Sequence, residues 1–576
     1  MKRKLLVLLP LLVGILALTG CADAQPVFTG GTPLPTATIL SDAPALPTFT
    51  PTPQATPTPL PITVGLDPAL PQIYVGPLLE RLQSQAEIDL GGQRHPLVIL
   101  TGESGDAGAQ VTITFGPLAQ AGRVVAERFY AVAVPFTTVQ DAVSLDEVTS
   151  RWQGKNADSL LISQYAGADL AAILGGTTLT PTQAMSLPGD LAATPGAWAV
   201  LPFQELDPTF KVLTVEGESL LDNRLDPATY ALAVAVSVQG EGEAAQAVAD
   251  LLAGAIQPAS NRDASRLTSL IMTGVTAMSR GTAAAMEAKG YTYPALVISD
   301  TLAAADITHV SNEVPFIEGC EVRNYLNQLQ LCSDYPYWDA LEAIGADIVG
   351  LSGNHVNDFG REGAVESITF YRDRGIPIYG SGLNLDEACA PLLWEHNGNT
   401  FAFMAVLAWE PASAWASDSL PGACYYYDHK QRVLDMITEL SGEVDVVAVE
   451  IQYYEAYTPY PTPQQIVEFR EIRAAGADIM TGVQSHVPQA LEPYGVLDEG
   501  GSGIIVYGLG NLFFDQMERW DTRTELYARH AIYDGRLLST QILTGILEDF
   551  AQPRWTTPAE RADLLRTIFG AAPDRQ

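Results

Sequence analysis

Gly350–Leu–Ser–Gly–Asn–His–Val–Asn–Asp–Phe–Gly360 is the stretch on which the reading of this chain turns. It follows Ala346–Asp–Ile–Val–Gly350, an apolar run of the length of one short buried strand. A glycine-containing turn then delivers Asn354 and His355 side by side. An imidazole beside a carboxamide oxygen at a strand end suits a metal ion or a phosphate. The design recurs twice. Gly476–Ala–Asp–Ile–Met–Thr–Gly482 leads into Val483–Gln–Ser–His486, and Ile504–Ile–Val–Tyr–Gly–Leu–Gly510 leads into Asn511 and Asp515. Strands that each end in glycine plus Asn or His imply an α/β protein whose site gathers at the carboxyl edge of one sheet.

Taken in order, three patterns carry a family resemblance: Asn354–His–x–x–Asp358–x–Gly360, Gly482–x–x–x–His486–Val–x–Gln489–x–x–Glu492, and Tyr507–x–Leu–Gly–Asn511–x–x–Phe–Asp515–Gln516. Together they resemble the CapA family, the poly-γ-glutamate capsule-synthesis group with a calcineurin-like metallophosphoesterase α/β fold. The resemblance spans about Leu267 to Tyr533. It implies a site where cations held by Asp, Asn and His clamp a phosphate and generate a hydroxide nucleophile. The positions that carry over as metal ligands are Asn354, His355 and His486, with Glu313 close by. His355 and Glu455 carry over as catalytic residues, and Arg280 and Asn511 as substrate-binding residues.

The departures from the family pattern matter as much. Val275 stands where the opening strand of the family is followed by a ligating Asp. Gln452 stands where a ligating His is expected, ahead of Glu455 and Tyr457. Gln484–Ser–His486 keeps only the second histidine of a His–x–His pair. A missing charge and two missing imidazoles argue against two cations. The residues left imply one divalent cation held by Glu313, Asn354, His355 and His486, or a hydrogen-bonded polar relic without an ion. His309 reads as an ordinary strand or surface histidine.

Outside that region the chain divides readily. Lys2, Arg3 and Lys4 precede the apolar Leu5–Leu18, and Leu18–Thr–Gly–Cys21 resembles a bacterial lipobox, so residues 1–20 read as a lipoprotein signal with lipidation at Cys21. Residues 21–61, rich in Pro and Thr, read as an extended tether that holds the folded part off a membrane. Residues 62–254 read as a separate α/β domain, 255–266 as a polar link, and 267–576 as the CapA-like domain. In the first of these domains, Tyr130–Ala–Val–Ala–Val–Pro135 and the following segment to Trp152 and Gly154 resemble the hinge region of periplasmic phosphate-type substrate-binding proteins. Thr101–Gly–Glu–Ser–Gly105 is the candidate anion-binding turn there. The domain reads either as a ligand-binding module or as a spacer that keeps only the fold.

The formal net charge is −36, and loss of Lys2, Arg3 and Lys4 with the signal takes it to −39. Such a surface repels nucleic acid, which excludes a nucleic-acid partner and fits an exported protein. Four cysteines besides Cys21 are an even number in such a chain. Their spacing favours Cys320–Cys332 and Cys389–Cys424 disulfides, the alternative being four buried thiols. The chain therefore reads as a membrane-anchored, CapA-like surface protein acting on capsule or another envelope polymer, with a degenerate metallophosphoesterase site. The alternative is a non-catalytic surface ligand-binding protein. Enzymatic activity stays open at this point.

Overall fold

The computed structural model describes residues 59–100, 108–155, 159–176, 179–183, 186–322, 329–495 and 503–573. The signal, Cys21 and nearly all of the tether lie outside them, as does Thr101–Gly105. No helix among the described residues is long and apolar enough to cross a membrane.

The N-terminal part is built on a ten-stranded mixed sheet. Ile62–Leu66 lies parallel to both Gln93–Leu100 and Val111–Pro117, and Ala233–Gln239 joins the latter to the long strand Arg123–Pro135 in antiparallel fashion. Helix Leu145–Trp152 starts at a capping box, with the Ser144 hydroxyl and the Glu147 carboxylate each taking a backbone N–H of the other's residue. Trp152 and Val148 fix its inner face in the core.

The C-terminal part is a sandwich of two sheets with helices outside both. One sheet runs, in spatial order, Ile378–Tyr379, Ile348–Gly350, Ile307–Asn312, Leu267–Met272, Thr524–Tyr533, Arg536–Glu548 and Gln552–Trp555, its first four strands parallel. The facing sheet runs Leu392–His396, Asn399–Leu407, Val446–Gln452, Ile479–Val483, Gly503–Val506 and Leu491–Tyr494. Leu270, Ile307, Phe403, Ala448 and Ile504 form part of the dry layer between the two sheets. Helices Arg280–Lys289, Trp338–Ala343 and Gly360–Asp373 cover the outer face of the first sheet, and Tyr426–Leu440 and Pro463–Ala474 that of the second. Being covered on both faces explains why Val446–Gln452 is buried at every residue instead of alternating.

Residues 255–266, read from sequence as a polar link, are bonded to the N-terminal sheet. Asn261 accepts from Phe129 N at 2.8 Å and donates to Phe129 O at 3.0 Å, while Arg262 Nε donates to Leu220 O at 2.8 Å. The polarity of the segment serves buried backbone groups rather than water. The two parts also share a packed boundary, with Phe203 edge-on to Tyr533 at 5.0 Å and Phe136 against Phe569 at 5.8 Å.

The cysteines pair as Cys320–Cys332 and Cys389–Cys424, with Cα separations of 6.1 and 5.0 Å. They close loops of 12 and 35 residues. Loop-closure entropy makes the second the stronger constraint by about 1 kcal/mol, within a typical 2–4 kcal/mol each. Paired Cys389→Ser and Cys424→Ser substitutions should therefore lower urea stability more than the Cys320 and Cys332 pair does. Equal losses would overturn this ranking.

One buried acid gives the sheet a pH dependence. Glu525 is fully enclosed, and burial pushes its carboxyl from about 4.5 up to about 8 against the hydrogen bond it accepts from Tyr527 at 2.5 Å. A carboxyl that holds its proton more tightly when folded favours the native state in acid. That contribution falls as pH rises from the ordinary carboxylate range to about 8 and is constant above. Glu525→Gln should thus gain stability relative to wild type between about pH 5 and about pH 9. Parallel urea midpoints across that range would show the carboxyl is not the cause.

Candidate functional site

The site lies where strand ends of the two facing sheets meet. The sequence reading placed it on the edge of a single sheet, and this is corrected here. Val275–Thr276 pairs with Ser311–Asn312 on one side and Asn511–Leu512 on the other, all in the first sheet's layer. Gln452 and Val483 end strands of the second sheet and lie side by side in register. The apolar runs before each motif look alike in sequence, and which sheet a run joins depends on partners distant in the chain.

Glycine lets these ends approach. A Cβ on Gly353 would stand 2.4 Å from Glu313 O and 2.6 Å from Glu313 Cα, so the turn before Asn354 presses directly on the Glu313 backbone. A Cβ on Gly274 would meet Gly510 O at 2.3 Å. The surrounding backbone is strained too: Arg280, Tyr457, Gln484, His486 and Phe513 have φ of 47°, 46°, 84°, 56° and 40°. Such conformations cost about 1–3 kcal/mol each and cluster at functional sites.

The side chains fall into two groups. In the first, Gln452 Nε2 donates to Asn354 Oδ1 at 3.1 Å and also to Gln484 Oε1, while Gln484 Nε2 donates to Asn354 Oδ1 at 3.4 Å. Three buried amides thereby satisfy one another. Val275 joins them not as a polar substitute but in an apolar cluster with Ala277, Val314, Val483 and Phe514.

The second group holds the ionisable residues. His355 Nδ1 faces Asp358 Oδ2 at 2.7 Å, and its Nε2 faces Glu313 Oε1 at 3.4 Å. His486 Nδ1 faces Asn511 Oδ1 at 2.9 Å, and its Nε2 lies 3.9 Å from Glu455 Oε1. Asn511 Nδ2 donates to Thr522 O and Gln516 Oε1, which leaves Oδ1 as the acceptor for His486. Both imidazoles therefore carry the proton on Nδ1 and aim the Nε2 lone pair at a carboxylate. Each such pair attracts once the ring carries a second proton.

Electrostatics agree with that geometry. Burial pushes Glu313 above the ordinary carboxylate range, with His355 and His486 pulling it back. Burial alone would lower His355, but Asp358, Glu313 and Glu455 hold it above its usual value. His486 holds Glu455 low against its own burial. Glu313 Oε2 is buried without a hydrogen-bond partner. Among the described residues, however, no three Asp, Glu, His or Cys side chains form a ready metal cluster. Glu313, His355 and His486 share one electrostatic neighbourhood, while Asn354, Gln452 and Gln484 bond to one another.

Two expected residues are otherwise engaged. Arg280 forms an ion pair with Asp515, whose other oxygen accepts from Gly281 N at 2.7 Å, and its guanidinium lies over Phe514. Asn511 orients His486. Three residues that the motifs contain but to which the sequence assigned no role also contribute: Asp358 behind His355, Tyr457 stacked on His486 at 5.4 Å, and Gln516 bonded to Asn511 and Tyr457. The His–x–x–Asp spacing was the available signal for Asp358. His309 is not a surface residue. It is fully buried, with Nε2 3.0 Å from Glu450 Oε2 on the facing sheet.

Layering and site together define an α/β sandwich with ionisable side chains gathered where strand ends of its two sheets meet. Residues 269–516 match the family described as bacterial capsule synthesis protein PGA_cap, so this part of the chain is a CapA-like domain. The capsule biosynthesis protein CapA of Bacillus anthracis is 26% identical over 269 residues, 46% of this chain and 63% of that protein. The chain thus spans less than two thirds of that relative. Among solved structures, a novel phosphatase from Mycoplasma pneumoniae matches with 11% identity and TM-score 0.29, covering 49% of this chain and 94% of its own. An ABC-type phosphate transport receptor from Vibrio cholerae matches with 11% identity and TM-score 0.23, covering 33% and 93%.

Proposed function

We propose that this protein is an exported lipoprotein, anchored through Cys21, that serves in the synthesis or processing of a poly-γ-glutamate capsule or a related envelope polymer. The family match over residues 269–516 supports that role, and the lipobox-like Leu18–Cys21 and the paired cysteines support export. The carrying observation for the chemistry is the pair of imidazole Nε2 atoms facing Glu313 and Glu455 across gaps of 3.4 and 3.9 Å. One divalent cation there would be held by Glu313, His355 and His486 and would supply Lewis-acid polarisation of an acyl or phosphoryl oxygen. Asp358 and Asn511 fix the two rings, and Glu455, partly open to solvent, stands where it can take a proton from an incoming nucleophile. The amide trio makes this a one-cation site.

Metal analysis of the purified full-length protein tests this. The expected stoichiometry is about one divalent ion per chain, lost in Glu313→Gln and in His486→Ala. Two tightly bound ions per chain, or none after incubation with zinc, manganese or magnesium, would overturn the site. Membrane fractionation of Cys21→Ala tests the anchor separately, with release or accumulation of the uncleaved precursor expected.

A further inference from the structure

A cleft with a separate lining lies where the N-terminal sheet meets the first sandwich sheet. Its volume is about 400 Å³, the size of small-molecule sites. None of the candidate site residues lines it. Four cationic side chains do, Lys211, Arg224, Arg529 and Arg561, against two carboxylates, Asp141 and Asp222. In a chain of net charge −36 that local positive excess stands out. Asp306 lies just behind the wall, bonded to Asn223 and Ser269 and within 3.3 Å of His396.

The four cations are not equivalent. Lys211 contacts Asp141 at 2.7 Å and donates to Thr138 O and Val139 O, so its three protons are used. Arg561 takes both oxygens of Asp141 and also donates to Ile542 O. These two act as structural anchors. Arg224 pairs with Asp222 from a largely exposed position. Arg529 is different. It makes one hydrogen bond, Nη2 to Thr301 O at 3.3 Å, and its Nε is buried without a partner. Burial pulls this guanidinium below its usual range, with Asp222 only partly compensating. An under-compensated guanidinium lining a cleft favours an anion. Leu221, Ile542 and Trp555 supply apolar wall beside it.

We propose that this cleft is a binding site for a small organic acid, whose carboxylate meets Arg529 and Arg224 while its carbon skeleton lies against Trp555 and Ile542. The ligand bridges the N-terminal sheet and the sandwich, and this site is independent of the function proposed above.

Glutarate and inorganic phosphate separate the chemistry, since both are anionic near neutral pH and only glutarate has an apolar body. With the full-length protein, glutarate at millimolar concentration should change tryptophan fluorescence saturably and raise the melting temperature. Trp555→Phe should remove most of the fluorescence change but keep the thermal shift. Arg529→Met should weaken binding by about tenfold or more. Should that variant fold poorly, Arg224→Gln, at an exposed position, should still weaken binding severalfold. Three results would overturn the proposal: no saturable binding of glutarate, binding unchanged in both arginine variants, or phosphate bound more tightly than glutarate.

Discussion

Val275→Asp is expected to turn this protein into one whose folding depends on a divalent metal. Val275 is fully buried among Ala277, Val314, Val483 and Phe514, and its backbone N–H is already committed to Gly510 O. A carboxylate placed there without a counter-charge should cost about 3–5 kcal/mol in chelator-treated protein. Adding Gln452→His and Gln484→His opens the amide trio and supplies two imidazoles beside the new charge. The triple variant should then bind divalent metal more tightly than wild type and regain stability on adding zinc or manganese. Urea unfolding with and without metal reads both effects. A Val275→Asp protein as stable as wild type in chelator would show that the position is open to water. A triple variant with unchanged metal affinity would show that these three residues do not face a common ion.

Glu450→Ala should be nearly as damaging, for a different reason. Glu450 reaches from the second sheet to His309 on the first and also accepts from Ser311 and Ser352 at 3.0 and 2.9 Å. All of this is sealed between the sheets, beneath the candidate site. Truncation strands the imidazole and two hydroxyls in a dry layer, at about 3–5 kcal/mol. Replacing both partners, as Glu450→Met with His309→Leu, should recover part of that loss, because apolar groups of similar size suit such a layer while the Ser311 and Ser352 hydroxyls stay without this acceptor. A single variant within about 0.5 kcal/mol of wild type in urea unfolding would mean that water reaches the pair.

The CapA-like domain was legible because its strand-end motifs are local: an apolar run, a glycine, then Asn or His. The departures at Val275, Gln452 and Gln484 were legible for the same reason. Which sheet each strand joins was not, since Gln452 and Thr276 reach the site from opposite layers and nothing in a seven-residue run encodes its distant partner. Nor was the amide trio as a closed network, because its members lie up to 130 residues apart. His309 is a strand histidine, as one of the two readings had it, but its pairing was not legible, since its partner Glu450 is 141 positions later in the chain. The bonds that 255–266 makes to the N-terminal sheet were not legible from its composition. Polar residues that bond to a neighbouring strand's backbone read the same as polar residues that bond to water.

The Asp141–Arg561 contact has a consequence in time. Its partners are 420 residues apart, and Arg561 sits in the last helix, Pro558–Gly570. As the chain emerges with its N-terminus leading, Asp141 and Lys211 are present long before Arg561. Lys211 can pair with Asp141 in the interim, so the N-terminal sheet need not carry an unpaired carboxylate while it waits. The boundary between the two parts closes only when the last helix arrives, with Phe569 seating on Phe136. Chains truncated before residue 558 should therefore expose that boundary, making helix Pro558–Gly570 the latch that closes it.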